Sequence, residues 1–306
     1  MKVLIATDKP FAVQAVEGIK DIVEKAGFEL DLLEKYTEKE QLLKAVSTAH
    51  AAIIRSDIFD KEVLDAAKEM KIVVRAGAGY DNIDLDAATE NKICVMNTPG
   101  QNANAVAELV FGMAVFAIRN FFNGTSGSEL YGKKLGIHAY GNVGRNVARI
   151  AKGFGMDVYT YDPFLSKEQI ESEGVKYVAT VEELYSTCQY VSLHIPATKE
   201  TVKSINYDLL SRMPKNAMLL NTARKEVINE EELLKIMRER ADLKYVTDIL
   251  PDNNEVFKSE FATRYYFTPK KMGAQKDEAN VNAGLAAANQ IVDYLKNGND
   301  RFRVNR

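Results

Sequence analysis

The chain has 306 residues, of which 46% are hydrophobic and 27% are charged, and its formal net charge at pH 7 is −3. This length predicts about two domains with sizeable cores, and the slightly acidic balance argues against nucleic acid or an anionic membrane as a partner. The two cysteines, Cys94 and Cys188, lie in apolar runs without metal-ligand spacing. They predict buried, reduced thiols, no metal site and a cytoplasmic location.

The first third of the chain alternates between strand-like and helix-like segments. Short β-rich runs are KVLIAT, AAIIRS, IVVRAG and ICVMNT, and helical patterns such as FAVQAVEGIKDIVEKAG and KEVLDAAKEM separate them. This alternation predicts a parallel sheet. The apolar run at the start is too short for a signal peptide and predicts the first strand.

A fully apolar helix is predicted next, over LVFGMAVFAI (Leu109 to Ile118), between Glu108 and Arg119. It is far shorter than the roughly 20 residues needed to cross a bilayer. A helix that is apolar on every side must be buried all round. Packing against a second copy of the chain would achieve this, so we expect a homodimer.

A second alternating set follows the Gly/Ser-rich break NGTSGSELYGKK (123–134). Its strand-like runs are KLGIHAY, MDVYTYDP, QYVSLHIP, NAMLLNTA, LKYVTDIL and RYYFTP. Six strands with helices between them match a dinucleotide-binding sheet. The last segment, ANVNAGLAAANQIVDYLKNG, predicts a helix long enough to return to the first domain.

A candidate phosphate-binding loop follows the strand KLGIHAY, with the pattern Ala139-x-Gly141-x-x-Gly144 opening a helix. Gly141 would let the backbone approach a pyrophosphate, and Gly144 would let the helix pack closely on the sheet. The next strand ends at Asp162, which can accept hydrogen bonds from ribose hydroxyls and would repel a 2′-phosphate. The loop therefore predicts NAD rather than NADP, against the alternative of an ordinary strand–turn–helix. Alanine at 139 costs little if φ there is negative.

An arginine follows the strand AMLL in the motif NTARKEVINEEEL. Arg224 lies at the carboxyl end of that strand, where open α/β sheets bind ligands. On its own it is compatible with a carboxylate clamp or with a surface ion pair.

Several ordered segments together resemble a known family. They are RAGAGYDNIDLDAAT (75–89), NTPGQNANAVAELVFG (97–112), LGIHAYGNVGRNVAR (135–149), SLHIPATKETVKSIN (192–206) and LLNTARKEVINEEEL (219–233). Across nearly the whole chain they resemble the D-isomer-specific 2-hydroxyacid dehydrogenases, and within them the short D-3-phosphoglycerate dehydrogenases that lack a regulatory domain.

The resemblance implies an α/β protein of two Rossmann-like or flavodoxin-like lobes, with parallel sheets and a cleft between them. The substrate-binding domain would comprise residues 1–98 plus 284–306, and the NAD-binding domain residues 99–283. The implied reaction is NAD-dependent oxidation of D-3-phosphoglycerate to 3-phosphohydroxypyruvate, the entry to serine biosynthesis. It proceeds by hydride transfer from C2 of the substrate to the nicotinamide.

The resemblance also implies roles for individual residues. Arg224 would bind the substrate carboxylate and keto oxygen, and Asp248 would meet the nicotinamide carboxamide. The positions implied to face the substrate are Arg55, Ser56, Arg75, Ala76, Gly77, Ala78 and Gly79, with the two arginines on the phosphate unless they only pair with surface acids. The positions implied to face the cofactor are Gly141, Asn142, Val143, Gly144, Asp162, His194, Pro196, Thr222, Ala223 and Asp248, although His194 could equally be a partly buried residue at a strand end.

The chain departs from the family at the general acid/base. The family carries a Thr-Pro-His motif after the last strand, whereas this chain reads TPKKMGA and has only His50, His138 and His194. Lys270 or Lys271 takes the place of the histidine, and the residue matching the glutamate partner is Asn253. A lysine, with a pKa normally about 10.4, needs that pKa lowered. A neighbouring ammonium and the loss of the acid would both lower it.

Two other functions remain open at this point. A glyoxylate or hydroxypyruvate reductase of the same family would not need Arg55 and Arg75 for a phosphate. If the two lysines are only solvated or hold the substrate's phosphate, the chain would instead be a non-catalytic NAD-binding sensor or scaffold.

Overall fold

The computed structural model of the protein describes residues 1–270, 272–273 and 277–305, which form two compact units. The first unit comprises Met1–Asn102 and Gln275–Arg306, and the second comprises Ala103–Ala274. The boundaries inferred from the family resemblance, 98/99 and 283/284, differ from these divisions. The last helix packs on the first helix of the first unit.

Strands and helices alternate along most of the described chain. The strands are β1 Lys2–Thr7, β2 Glu29–Glu34, β3 Ala51–Ile54, β4 Ile72–Arg75, β5 Cys94–Asn97, β6 Lys134–His138, β7 Asp157–Tyr161, β8 Lys176–Tyr177, β9 Tyr190–Leu193, β10 Met218–Asn221, β11 Lys244–Thr247 and β12 Tyr265–Phe267. The helices are α1 Val13–Lys25, α2 Lys39–Val46, α3 Lys61–Ala66, α4 Leu85–Glu90, α5 Ala103–Ile118, α6 Asn142–Gly153, α7 Lys167–Ser172, α8 Val181–Thr187, α9 Tyr207–Arg212, α10 Glu230–Glu239, α11 Asn254–Glu260 and α12 Asp277–Asn297.

The first unit is built on a five-stranded parallel sheet in the order β2-β1-β3-β4-β5. This is the flavodoxin-like strand order, so the predicted parallel sheet is confirmed. The sequence pattern did not predict the edge strand β2. Its sequence, ELDLLE, contains three acids in six residues, and none of its side chains is fully buried. Apolar clusters cover both faces of the sheet, as expected of parallel strands.

The second unit contains a seven-stranded parallel sheet in the order β12-β11-β10-β9-β6-β7-β8. All six predicted strands are present, and β8 adds a two-residue strand at the edge. The chain runs from β6 outward through β7 and β8 and then returns to the other side of β6 with β9. The carboxyl ends of β6 and β9 therefore form the topological switch point at which such sheets bind ligands.

Helix α5 is the predicted apolar helix, and most of it is covered by its own unit, chiefly by α6 and β11. Leu109, Val115 and Phe116 remain half-buried, and Gly112 is exposed. The helix is thus not buried all round within one chain. A second copy of the chain on the remaining face stays a prediction.

Both cysteines are free and buried. Burial raises the pKa of the Cys94 thiol to about 11 and that of Cys188 to about 12. No helix within the described residues combines the length and the apolar character that a bilayer crossing requires. The same part of the chain holds no group of three or more His, Cys, Asp or Glu side chains arranged to bind a metal ion.

Candidate functional site

The glycine loop connects β6 to α6 at the switch point of the second unit. Ala139, the first residue after β6, has a φ of +78°. The negative φ under which an alanine here would cost little is not found, because the chain turns sharply out of β6 toward the helix. Alanine here occupies the left-handed region that favours glycine.

The two glycines of the loop have different surroundings. A Cβ on Gly144 would lie 2.5 Å from the carbonyl oxygen of Ala139 and 3.1 Å from Cγ2 of Ile137, so only glycine fits there. A Cβ on Gly141 would meet no atom within 4 Å. Gly141 caps α6 without a side-chain hydrogen bond, so the N–H groups of the first helical turn point into open space. This is the arrangement that binds phosphate at a helix N-terminus.

Asp162 follows β7 and is buried beside the loop. Its Oδ2 accepts a hydrogen bond from the backbone N–H of Tyr140 at 2.8 Å, and its Oδ1 accepts one from that of Phe164 at 2.9 Å. The carboxylate therefore holds the glycine loop and the turn after β7 together. Each oxygen keeps a further lone pair for a ligand hydroxyl.

His138 ends β6, and His194 directly follows the neighbouring strand β9. The backbone N–H of His194 donates to the carbonyl of His138 at 2.9 Å, and its Nε2 lies 2.9 Å from Oγ of Ser192. Burial lowers the pKa of His138 to about 4 and that of His194 to about 3. Both imidazoles are therefore neutral at pH 7. Pro196, two residues further on, is exposed.

The segment after β10 presents a polar atom and a guanidinium at the same edge. Oγ1 of Thr222 is buried and has no hydrogen-bond partner among the described residues. The Asn221 side chain shapes the turn, because its Oδ1 accepts from Ala223 N–H and its Nδ2 donates to the Arg224 carbonyl. Arg224 is exposed, and within the described chain its guanidinium donates only to the Ala223 carbonyl. The surface ion pair considered as an alternative is absent from this part of the structure.

Asp248 follows β11 and binds the loop after β12. Its buried Oδ2 accepts hydrogen bonds from the N–H of Gly273 at 2.9 Å and of Met272 at 3.3 Å. This contact places the segment with the predicted acid/base beside the end of β11. Lys270 is exposed, and its carbonyl accepts from Thr268 Oγ1. Lys271 lies outside the described residues.

Asn253, which stands where the family has its glutamate, is bound by two acids. Its side-chain amide donates to Glu230 at 3.2 Å and to Glu231 at 3.3 Å. Its backbone N–H also donates to Glu230 at 2.9 Å. The sequence shows the loss of the acid at 253 but not the carboxylates that α10 brings to it.

In the first unit two arginines lie at the carboxyl ends of adjacent strands. Arg55 follows β3, and Arg75 ends β4. Arg55 donates to the carbonyls of Lys9 and Pro10 and to Oδ1 of Asn280 in α12. Arg75 donates through Nε to the carbonyl of Arg55. Burial, and next the charge of Arg55, lower the pKa of Arg75.

The loop after β4 wraps around the Arg75 side chain. Gly77 has a φ of +150°, and a Cβ there would lie 1.5 Å from NH1 of Arg75, so only glycine is possible. Among the described residues no acceptor takes the N–H of Ala78 or of Gly79. The N–H of Ala76 donates to the carbonyl of Ile54. Ser56, which follows Arg55, is exposed.

The predicted residues thus form one group in each unit. Those of the second unit lie after the carboxyl ends of β6, β7, β9, β10, β11 and β12, and those of the first lie at the ends of β3 and β4. Sequence reasoning missed Asn221 and Asn280. Asn221 begins the NTAR motif that contains Arg224 and could have been found. No sequence signal connects Asn280 to Arg55 across the intervening chain.

Comparison with known proteins agrees with this arrangement. Residues 103–269 match the family model described as "D-isomer specific 2-hydroxyacid dehydrogenase, NAD binding domain". The chain belongs to the D-isomer specific 2-hydroxyacid dehydrogenase family. The predicted family and the NAD-binding character of the second unit are therefore confirmed.

Individual members of the family differ in how much of their length this chain covers. A NAD+-bound 3-phosphoglycerate dehydrogenase structure from Entamoeba histolytica shares 49% identity over 100% of this chain and 99% of that one, with a TM-score of 0.85. A Methanocaldococcus jannaschii D-3-phosphoglycerate dehydrogenase is 34% identical over 84% of this chain and 52% of its own length. A Thermotoga maritima hydroxypyruvate reductase is 31% identical over 87% and 92%. The chain thus spans about half the length of the first of these curated relatives.

The residues present fit NAD. Gly141 leaves open space in front of uncapped helical N–H groups, Gly144 has no room for a Cβ, and Thr222 keeps a buried hydroxyl without a described partner. Asp162 is fixed where a ribose-binding acid is needed in a dinucleotide fold.

Proposed function

We propose that the chain is an NAD-dependent D-2-hydroxyacid dehydrogenase that oxidises D-3-phosphoglycerate to 3-phosphohydroxypyruvate, the first step toward serine. The observation that carries the substrate choice is the pair Arg55 and Arg75 in the first unit. The names of the relatives from M. jannaschii and E. histolytica support the same reaction.

The arginine pair suits a phosphate. Within the described residues no carboxylate lies within salt-bridge distance of either guanidinium, and NH1 and NH2 of Arg75 donate to no acceptor. Two adjacent like charges repel each other, and an anion bound between them would relieve that repulsion. A guanidinium fork matches phosphate oxygens better than a single point charge does.

The cofactor is NAD, which supplies a nicotinamide ring able to accept a hydride. The N–H groups at the start of α6, around Gly141, Asn142, Val143 and Gly144, would bind its pyrophosphate, and Asp162 its ribose hydroxyls. His194 and Pro196 would border the adenosine. Thr222, Ala223 and Asp248 would hold the nicotinamide end. The negative charge of Asp162 disfavours a 2′-phosphate.

Arg224 would bind the substrate carboxylate and the oxygen on C2. Its guanidinium is exposed and makes only one hydrogen bond in the described chain, so most of its donors are available. In the first unit, the N–H groups of Ala78 and Gly79, with Ala76, Gly77 and Ser56 beside them, would bind a substrate carboxylate. A positive charge next to C2–O stabilises the negative charge that develops on that oxygen.

A lysine would carry the proton. Lys270 or Lys271 occupies the place of the family histidine, and the buried Asp248 holds the loop just beyond them through Gly273. His138 and His194, beside the ends of β6 and β9, have lowered pKa values and are poor proton donors at neutral pH. In the reductive direction an ammonium is already a competent proton donor.

Changing Arg75 to glutamine tests the substrate choice. Losing charge-assisted hydrogen bonds to phosphate lowers kcat/KM for 3-phosphohydroxypyruvate by about 10- to 100-fold. The kcat/KM for hydroxypyruvate stays within about twofold. Arg119→Gln, an exposed arginine of the second unit, is the matched control. Equal losses on both substrates in Arg75→Gln contradict a phosphate role.

The T. maritima relative makes hydroxypyruvate reduction the competing activity. The substrate of such a reductase carries no phosphate. Arg75→Gln would then change kcat/KM for 3-phosphohydroxypyruvate and for hydroxypyruvate by the same factor. The same pair of substrates therefore separates the two enzymes.

Single lysine variants separate catalysis from mere NAD binding. Lys270→Ala and Lys271→Ala are compared by turnover and by NADH affinity, with Lys258→Ala, on the exposed face of α11, as control. We expect one of the two to lose about 100-fold or more in turnover while NADH binds normally. If both retain full turnover, neither lysine moves the proton. If the wild-type chain binds NADH and turns over none of the keto acids, it is a sensor or scaffold.

Two further features belong to this proposal. The chain forms a homodimer through the partly exposed apolar face of α5, and it resides in the cytoplasm. The half-buried Val115 and Phe116 support the first statement, and the two free, buried thiols support the second.

A further inference from the structure

A polar cavity lies at the edge of the second sheet opposite to the glycine loop. It has a volume of about 450 Å³. Most of its lining comes from residues at the amino-terminal ends of five parallel strands. These are Lys133 before β6, Gln189 and Tyr190 at β9, Asn216 and Met218 at β10, Lys244 at β11 and Arg264 before β12. Ser126, Gly127 and Ser128 close one side.

The cavity lining contains three cationic side chains and one acidic side chain, Asp242, which is paired with an arginine outside the lining. The Asp242 carboxylate accepts hydrogen bonds from Nε and NH2 of Arg240 and from the backbone N–H of Asn216. Arg240 therefore cancels its charge, and the pKa of Asp242 is held at about 2. Lys133, Lys244 and Arg264 make no ion pair within the described residues. The cavity carries an unbalanced positive charge.

The three cations also keep hydrogen-bond donors in reserve. Arg264 uses only NH1, which donates to the carbonyls of Met237, Arg240 and Leu243. Its NH2 and Nε have no acceptor in the described chain. Lys244 donates to the carbonyl of Ala117 and to Oδ1 of Asn120, which leaves one N–H. The Lys133 ammonium has no hydrogen-bond partner there.

We propose that this cavity binds a small oxyanion, either inorganic phosphate or a metabolite that carries phosphate or carboxylate groups. Lys133, Lys244 and Arg264 would supply charge and donors, and the hydroxyls of Ser126 and Ser128 would supply further hydrogen bonds. Like charges gathered in one concave, partly buried site attract an anion and gain stability when it binds. The site lies at the amino-terminal edge of the strands, so its ligand does not compete with NAD at the carboxyl-terminal edge.

Hydrogen–deuterium exchange on the NADH-saturated protein tests this site. Inorganic phosphate is titrated, and the dissociation constant is taken from the protection of segment 119–133. We expect saturable protection there. Lys133→Gln should weaken phosphate binding about tenfold, the loss of one charge-assisted hydrogen bond. Lys133 makes no side-chain contact that the fold requires, so this variant should fold normally.

A matched control is Lys134→Gln, which removes the same charge one residue further on, outside the cavity lining. Its dissociation constant should equal that of the wild type. Lys244→Gln gives a second test. Its free energy of unfolding is measured in parallel, because the Lys244 side chain also donates hydrogen bonds to Ala117 and Asn120. Absence of protection, or equal dissociation constants in the 133 and 134 variants, overturns the proposal.

Discussion

At the scale of single residues, Gly144 shows how a backbone requirement fixes a sequence position. A Cβ at 144 would lie 2.5 Å from the Ala139 carbonyl oxygen, closer than any real contact. Ala139 cannot move away easily, since it already holds a φ of +78° at the end of β6. The glycine therefore sets the distance between α6 and the sheet, and with it the position of the helical N–H groups.

Changing Gly144 to alanine should lower the free energy of unfolding by about 1–3 kcal/mol, because the loop must shift to admit the methyl group. The affinity for NADH should fall with it. Gly153→Ala, in the same helix, is the control, since a Cβ there meets nothing within 4 Å. Urea denaturation and NADH titration measure both effects. Equal behaviour of the two variants would show that the close approach at 144 carries no cost.

The buried His138 and the half-buried His194 predict a loss of stability in acid. Burial lowers the pKa of His194 to about 3, below the value near 6.5 in the unfolded chain. Below pH 6.5 the unfolded chain binds a proton that the folded chain does not. The contribution is therefore complete above that pH and declines as pH falls, by up to about 1.4 kcal/mol per pH unit.

His194→Gln should remove this slope while keeping a hydrogen bond to Ser192. Free energies of unfolding measured between pH 7 and pH 5 should decline less steeply in the variant than in the wild type. Parallel curves would mean that His194 does not titrate between the two states.

At the scale of the element, the turns after β6 and β7 work as one unit because Asp162 bonds to both. An asparagine at 162 keeps one acceptor oxygen and loses the other, so either the Tyr140 or the Phe164 N–H remains unsatisfied. The negative charge that disfavours a 2′-phosphate is also lost.

Asp162→Asn should therefore reduce the preference for NAD over NADP by roughly tenfold, the equivalent of about 1.4 kcal/mol. Asp157→Asn is the matched control. It lies at the other end of β7, where it pairs with Lys176 on the surface. The ratio of kcat/KM for the two cofactors is the measurement. An unchanged ratio in Asp162→Asn would remove Asp162 from cofactor selection.

The elements that the sequence could predict are those whose signal is local. The buried strands β1, β3, β4 and β5 are short apolar runs between helices, and the pattern identifies them directly. Strand β2 carries three acids in six residues, and only its pairing with β1 makes it a strand. The left-handed turn at Ala139 and the partners of Arg55 and Asn253 depend on tertiary contacts, which no local pattern contains.

At the scale of the whole molecule, an apolar patch near α5 is exposed on the surface of the single chain. Phe122 is 65% exposed and packs on the half-buried Phe116, with 5.2 Å between ring centroids. Asn120, Phe121 and Phe122 all have positive φ values, a conformation that holds Phe122 outward. A second copy of the chain would bury this ring.

Phe122→Asp should convert the dimer to a monomer in sedimentation velocity, because an aspartate cannot be buried there without a partner. Phe164→Asp is the control, since Phe164 is 91% exposed and belongs to the turn after β7. A dimer that survives Phe122→Asp would place the interface elsewhere, and a monomeric wild-type chain would end the proposal of a dimer.

The central claim is the proposal that the chain oxidises a phosphorylated 2-hydroxyacid with NAD. Its most direct test is oxidation of NADH by the wild-type protein with 3-phosphohydroxypyruvate, hydroxypyruvate and glyoxylate measured side by side. The arginine pair at 55 and 75 predicts the highest kcat/KM for 3-phosphohydroxypyruvate, by about tenfold or more over the other two. Equal or higher values for either unphosphorylated acid would contradict the claim.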